Sequence, residues 1–176
     1  MGQYFRPIIL DSGGKIVVWM NAHMYDQGLK LMEHAFLENA FVCTFEFGLS
    51  PEGAHYKSRV VWAGDYAMVE PSHEANLYQQ CSEYNLIHPK EKETTKYRFV
   101  VNHSKKQFVN KAHIPNAGGF SMHPLPFLTC EGEGNNSAYE TKQPRLVGSW
   151  ARDVISVEES APLGYHEIVF DFVEVL

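Results

Sequence analysis

The alternation of apolar and polar positions changes period several times along this chain. Tyr4–Leu10 and Lys15–Met20 are β-rich runs on either side of Asp11-Ser12-Gly13-Gly14, which predicts a hairpin. Pro7 has no N–H for a ladder, so the first strand is expected at an edge or with an irregularity there. From Asp26 the period lengthens. Leu29, Met32, Phe36, Ala40, Cys43 and Phe47 lie on one face of a helix. Asp26 is the expected N-cap, and Ser50-Pro51-Glu52-Gly53 the stop. The β-branched and aromatic run Phe41–Phe45 leaves a break near Glu38-Asn39 open.

Arg59–Ala63 reads as a buried strand closed by Gly64-Asp65-Tyr66. Pro71-Ser72 then opens a second helix with Leu77, Cys81 and Tyr84 as its stripe. The polar stretch Asn85–Thr95 reads as a solvated loop. Tyr97–Asn102 and Gln107–His113 flank His103-Ser104-Lys105-Lys106, a second hairpin. Leu125–Thr129 is expected as a strand between Pro124 and a long loop, Cys130–Pro144. Trp150–Val157 and Glu167–Val175 complete the strands. In the last, Ile168, Phe170, Phe172 and Val173 interleave with Glu167, Asp171 and Glu174, the pattern of a sheet with one dry face. No βαβ repeat recurs, so a doubly wound parallel sheet is disfavoured. The expectation is one α+β domain over residues 1–176. Its sheet is mainly antiparallel, about six to eight strands, with two helices packed on it.

Composition narrows the classes. The chain has 176 residues, 15 Lys+Arg against 21 Asp+Glu and a formal charge of −6. Generic phosphate-backbone binding, which runs on Lys and Arg, is disfavoured. Charge of this sign suits a basic partner or imitation of nucleic acid. Cys43, Cys81 and Cys130 are odd in number and widely spaced, which predicts free thiols rather than a disulfide framework or zinc ribbon. The N-terminal Met1-Gly2-Gln3-Tyr4-Phe5-Arg6-Pro7 shows no signal-peptide pattern. No apolar run reaches the ~18 residues of a membrane span. A cytoplasmic location is the expectation.

Several segments carry a resemblance. They are Met1-Gly2-Gln3-Tyr4 with Pro7, Gly28-Leu29-Lys30-Leu31-Met32-Glu33-His34 and Val61-Trp62-Ala63-Gly64-Asp65-Tyr66-Ala67. Val101-Asn102-His103-Ser104-Lys105-Lys106, Pro124-Leu125-Pro126-Phe127-Leu128-Thr129 and Gly148-Ser149-Trp150-Ala151 follow. In this order they resemble a family of small uncharacterised bacterial and phage proteins. The resemblance spans most of the chain and implies no particular activity or catalytic residue. Similar sequences are richer in glycine after the Leu-Thr segment and often end it in Asp-Tyr. Here it reads Cys130-Glu131-Gly132-Glu133-Gly134-Asn135-Asn136-Ser137, which weakens any glycine-loop function.

Candidate chemistry comes from two places. Glu33 and His34 flank Met32 and are expected to point away from the apolar stripe. Asp65 follows a buried strand, and His23 precedes the helix. Glu33, His34 and Asp65 are the catalytic candidates, together with His103 in the second hairpin tip. His23, His34 and Asp65 are the metal candidates, since imidazole and carboxylate suit a divalent metal that activates water. The ordinary alternative places Glu33 and His34 on a helix surface and Asp65 in a turn. For His103 the alternative is a polar hairpin tip, because Asn, Ser and Lys are what such a tip contains. Glu131-Gly132-Glu133-Gly134-Asn135 has oxygens for a cation but carboxylates that repel phosphate. Glu158-Glu159 with Glu167, Asp171 and Glu174 forms an acidic edge, read as a solvated sheet face or, more sharply, a nucleic-acid mimic.

Two functional expectations follow. The first is a small acidic interaction module, a phage-type accessory or counter-defence protein that binds a host or viral macromolecule. The second is a metal-assisted hydrolase or binder of a nucleotide or other phosphoester. The expected partner is accordingly a protein or a small phosphorylated ligand, with no membrane.

Overall fold

The computed structural model describes residues 2–87, 97–116, 119–132 and 138–175. In chain order the strands and α-helical turns are β1 (Phe5–Leu10), β2 (Ile16–Trp19), α1 (Leu31–His34), α2 (Ala40–Gly48), β3 (Ser58–Gly64), α3 (Leu77–Gln80), β4 (Phe99–Asn102), β5 (Gln107–Asn110), α4 (Pro124–Thr129), β6 (Cys130–Glu131), β7 (Tyr139–Glu140), β8 (Val154–Glu158), β9 (His166–Glu167) and β10 (Val173–Glu174). The fold is α+β, and its main sheet has eight strands in the order β2-β1-β3-β8-β4-β5-β9, with β6 also on β3. Among the strand pairings of the described residues, β3–β6 and β5–β9 are parallel and the others antiparallel. β7 and β10 form a separate antiparallel pair.

The first hairpin pairs Ile8 with Trp19 and Ile9 with Val18. β1 is nevertheless interior, between β2 and β3, which corrects the edge position expected from Pro7. Phe5 donates to Leu29 O, so the Pro7 nitrogen, two residues on, faces that side too. There the β2 ladder has ended in a single bond from Met20 N to Pro7 O. The missing donor therefore removes no bond to β3.

The two sheet faces are covered unequally. Ile9, Val60, Trp62, Val100, Val109, Ile155 and Val157 share one core with Phe41, Val42 and Phe45 of α2 and with the α4 side chains. On the other face Ile8, Leu10, Trp19, Val61 and Ala63 pack with Leu77 of α3. Ser156 and Glu158 of β8 and Phe99 and Val101 of β4 alternate with core residues, so they share that second face.

The long first helix is interrupted. α1 makes one turn, and Phe36 N then bonds His34 O. Asn39 restarts the helix as α2, its Oδ1 accepting from Phe41 N and Val42 N. The break left open near Glu38-Asn39 is real, and α2 is the one helix longer than six residues among those described. α3 is likewise a single turn, capped by Asn76.

Leu125–Thr129 is helical, not the expected strand. Pro124 and Pro126 sit in the first turn, where amides have no intrahelical acceptor to lose. His123 Nδ1 accepts from Leu125 N at 3.1 Å. Trp150–Asp153 is turn, and the strand begins only at Val154. The last expected strand splits into β9 and β10. Its alternation survives between them, with Val169 exposed and Phe170 and Phe172 buried.

Candidate functional site

The first constellation is drawn into the fold. His34 is fully buried rather than turned outward, against Trp62 of β3 and Phe41 of α2. Its Nε2 accepts from Trp62 Nε1 at 3.0 Å, so its Nδ1 carries the proton and donates to Gly28 O at 2.9 Å. Phe41 packs edge-on against the ring. Burial pushes the imidazole pKa down to about 4, against smaller opposing effects of the Gly28 carbonyl and Glu33. A neutral ring with both nitrogens committed has no lone pair left for a metal.

The other members are tied up locally. Glu33 Oε2 accepts from Lys30 N at 3.0 Å, closing the cap of α1. Asp65 Oδ1 accepts from Tyr4 N at 3.0 Å. His23 is exposed on the Ala22–Tyr25 turn. Among the described residues no group of three His, Cys, Asp or Glu side chains is placed to hold a metal ion. The set His23, His34 and Asp65 is therefore not assembled as a divalent-metal site. In the glycine-rich loop, the Glu131 carboxylate bonds Arg152, and residues 133–137 lie outside the described residues. The acidic edge is also divided, Glu167 pairing with His113 and Asp171 with Thr141 and Lys142 N.

His103 has a different setting. It is half-buried at the second hairpin, on the face that α3 leaves uncovered. Its Nε2 lies 2.7 Å from Ser156 Oγ, and its Nδ1 lies 3.0 Å from Tyr165 Oη. Ser156 donates to Glu158 Oε1 at 2.8 Å, and Tyr56 donates to the same oxygen at 2.6 Å. With the Ser156 proton given to Glu158, His103 Nε2–H donates to Ser156. Nδ1 is then left bare to accept from Tyr165. The protons run in one direction, Tyr165 to His103 to Ser156 to Glu158. Burial and Lys57 lower the His103 pKa, against Glu158, so the ring is neutral at neutral pH.

Sequence reasoning named His103 but not its partners. The available signal was the strand alternation of Ser156 and Glu158, which puts both on one face. Reasoning from sequence also missed a buried charged cluster, Glu46, Lys111 and His123. Lys111 Nζ pairs with Glu46, and His123 Nε2 lies 3.3 Å from Glu46 Oε1. Burial alone would raise the Glu46 carboxyl, but Lys111 and His123 reverse this and hold it at about 2. The cluster ties α2 to the turn after β5 and to the start of α4.

A further surface feature lies on the loop after β3. Asn76 Nδ2 donates to Asp65 O and Ala67 O at 3.1 and 3.0 Å. Glu70 N bonds Ala75 O, and the Glu70 carboxylate is held by Arg152. The loop is thus pinned at its base while Tyr66, Met68 and Val69 protrude, Met68 at 89% exposure. Asp65 and Glu74 flank these side chains.

No family model, curated protein or solved structure matches this chain. The class supported by the described residues is an α+β protein with a large, mainly antiparallel sheet. No helix among those residues is long and apolar enough to cross a membrane.

Proposed function

We propose that this protein is a small acidic interaction module of the phage-type accessory or counter-defence kind, and that it docks a basic face of a protein partner. The observation that carries this reading is the pinned loop presenting Tyr66, Met68 and Val69. Apolar side chains held outward by a fixed base bind with little ordering cost. The flanking carboxylates and the formal charge of −6 favour a positively charged partner and suppress others.

A photo-crosslinking side chain at Met68 tests the reading. It should capture one macromolecule, which is then purified and bound to the unlabelled chain. That binding should weaken at least ~10-fold with Met68→Asp and fall with added salt, while the unfolding midpoint stays unchanged. Binding that survives both Met68→Asp and Val69→Asp would overturn it.

A further inference from the structure

The geometry points to a second, chemical site away from the docking loop: Tyr165 is a nucleophilic phenol, His103 is its base, and an anionic phosphodiester is its substrate class. An activated nucleophile needs a base within hydrogen-bond reach and a third group that orients the base. Tyr165 Oη lies 3.0 Å from His103 Nδ1. Ser156, buried and 2.7 Å from Nε2, passes that orientation to Glu158. Ser156 and Glu158 are positioning residues, because they act through the imidazole.

Burial and Lys57 keep the ring neutral and so free to accept, while Glu158 is the group that favours the imidazolium. When Nδ1 takes the phenolic proton, the imidazolium keeps its Nε2–H bond to Ser156, and Glu158 stands behind it as counter-charge. Glu158 is itself held by Tyr56. Lys57, exposed and stacked on Tyr56 with Nζ 5.1 Å from the ring centre, is the cation whose charge acts on His103. It supplies the attraction for an anionic substrate. Tyr165 is half-buried and so partly open to solvent.

The step balances without a further reactant. Tyr165 Oη forms a bond to phosphorus as the bond from phosphorus to the leaving oxygen breaks. The phenolic proton moves to His103 Nδ1 and then to water. The leaving alkoxide or phenolate departs with its electron pair, and a tyrosyl phosphodiester remains.

Bis(4-nitrophenyl) phosphate is the probe, with released nitrophenolate and the mass of the Tyr165 peptide as readouts. The expected result is an adduct on Tyr165 and none on Tyr84, which is 100% exposed. The rate should rise with pH as the His103 imidazolium loses its proton and then level off. His103→Gln should slow labelling by about 100-fold. Added imidazole should partly restore His103→Gly, which a merely structural histidine would not allow. Lys57→Met should raise the half-saturating probe concentration more than it lowers the limiting rate. Ser156→Ala provides an independent variant, expected to slow labelling while retaining the fold. Absence of a Tyr165 adduct, or labelling at the parent rate in folded Ser156→Ala and His103→Gln, would overturn the proposal.

Discussion

His34 and His103 have both ring nitrogens engaged, yet the two neighbourhoods differ in consequence. His34 sits between Gly28 O and Trp62 Nε1 in a dry core. Its acceptor nitrogen faces a fixed indole donor and its proton faces a backbone carbonyl, so neither can be exchanged with a substrate. His103 sits between two hydroxyls, Tyr165 and Ser156, in a half-buried position. A hydroxyl donates or accepts as needed, so this network can pass a proton on. The lesson concerns partner type as well as burial: fixed partners turn a histidine into a structural strut, while hydroxyl partners leave it able to titrate in place.

Removing the strut should have the largest effect. His34→Ala leaves a cavity and strands the Trp62 Nε1 donor and the Gly28 acceptor. Unfolding in urea should show a loss of about 3–5 kcal/mol. His103→Gln should cost about 1 kcal/mol, because the amide can still bond Ser156, which keeps its bond to Glu158, and Tyr165 is only half-buried. Equal losses for the two would erase the distinction.

Acid provides a second, smaller test. The folded-state pKa of His34 lies below its ordinary value of 6.5, at about 4. The unfolded chain therefore binds the extra proton first. Stability from this residue is complete above pH 6.5 and is lost as pH falls through about 4. The loss is on the order of 3 kcal/mol. His34→Gln, which cannot titrate, should give a shallower acid limb in urea unfolding at successive pH values. His123, whose pKa burial also lowers, and Glu46, held down to about 2 by Lys111 and His123, contribute to the limb that remains.

The restart of the helix at Asn39 positions Phe41 against the His34 ring. Asn39→Ala removes the acceptor for Phe41 N and Val42 N and should cost about 1 kcal/mol. Indole fluorescence should report disturbance at Trp62, which Phe41 and Phe45 contact. The smallest stability change is expected at the docking loop. Met68→Asp should stay within about 0.5 kcal/mol of the parent, since the side chain is already in water.

Much of the secondary structure was readable from periodicity. The two hairpins follow from β-rich runs around Gly-Gly and Ser-Lys-Lys turns, and the alternating dry and wet positions of the last segment persist even where the ladder breaks. Leu125–Thr129 was not readable as helix. A short apolar run has no visible period when every side chain is buried, and Pro-Leu-Pro is compatible with either an edge strand or a first helical turn. The candidate site was legible only in part. His103 stands out in its hairpin tip, whereas Tyr165 and Ser156 are 62 and 53 residues away along the chain.

The amino-acid order by itself determined the class: an acidic α+β chain, a largely antiparallel sheet, and free cysteines. These depend on local period and composition, which act over a few neighbouring residues. Only the tertiary structure decided which polar residues are spent and which remain usable. The packing of α1 and α2 on β3 puts His34 against Trp62, and one cross-strand register, Val101 opposite Ser156, brings His103 to Ser156. Such outcomes depend on which surfaces meet, because hydrogen-bond partners and desolvation are assigned by packing between distant segments.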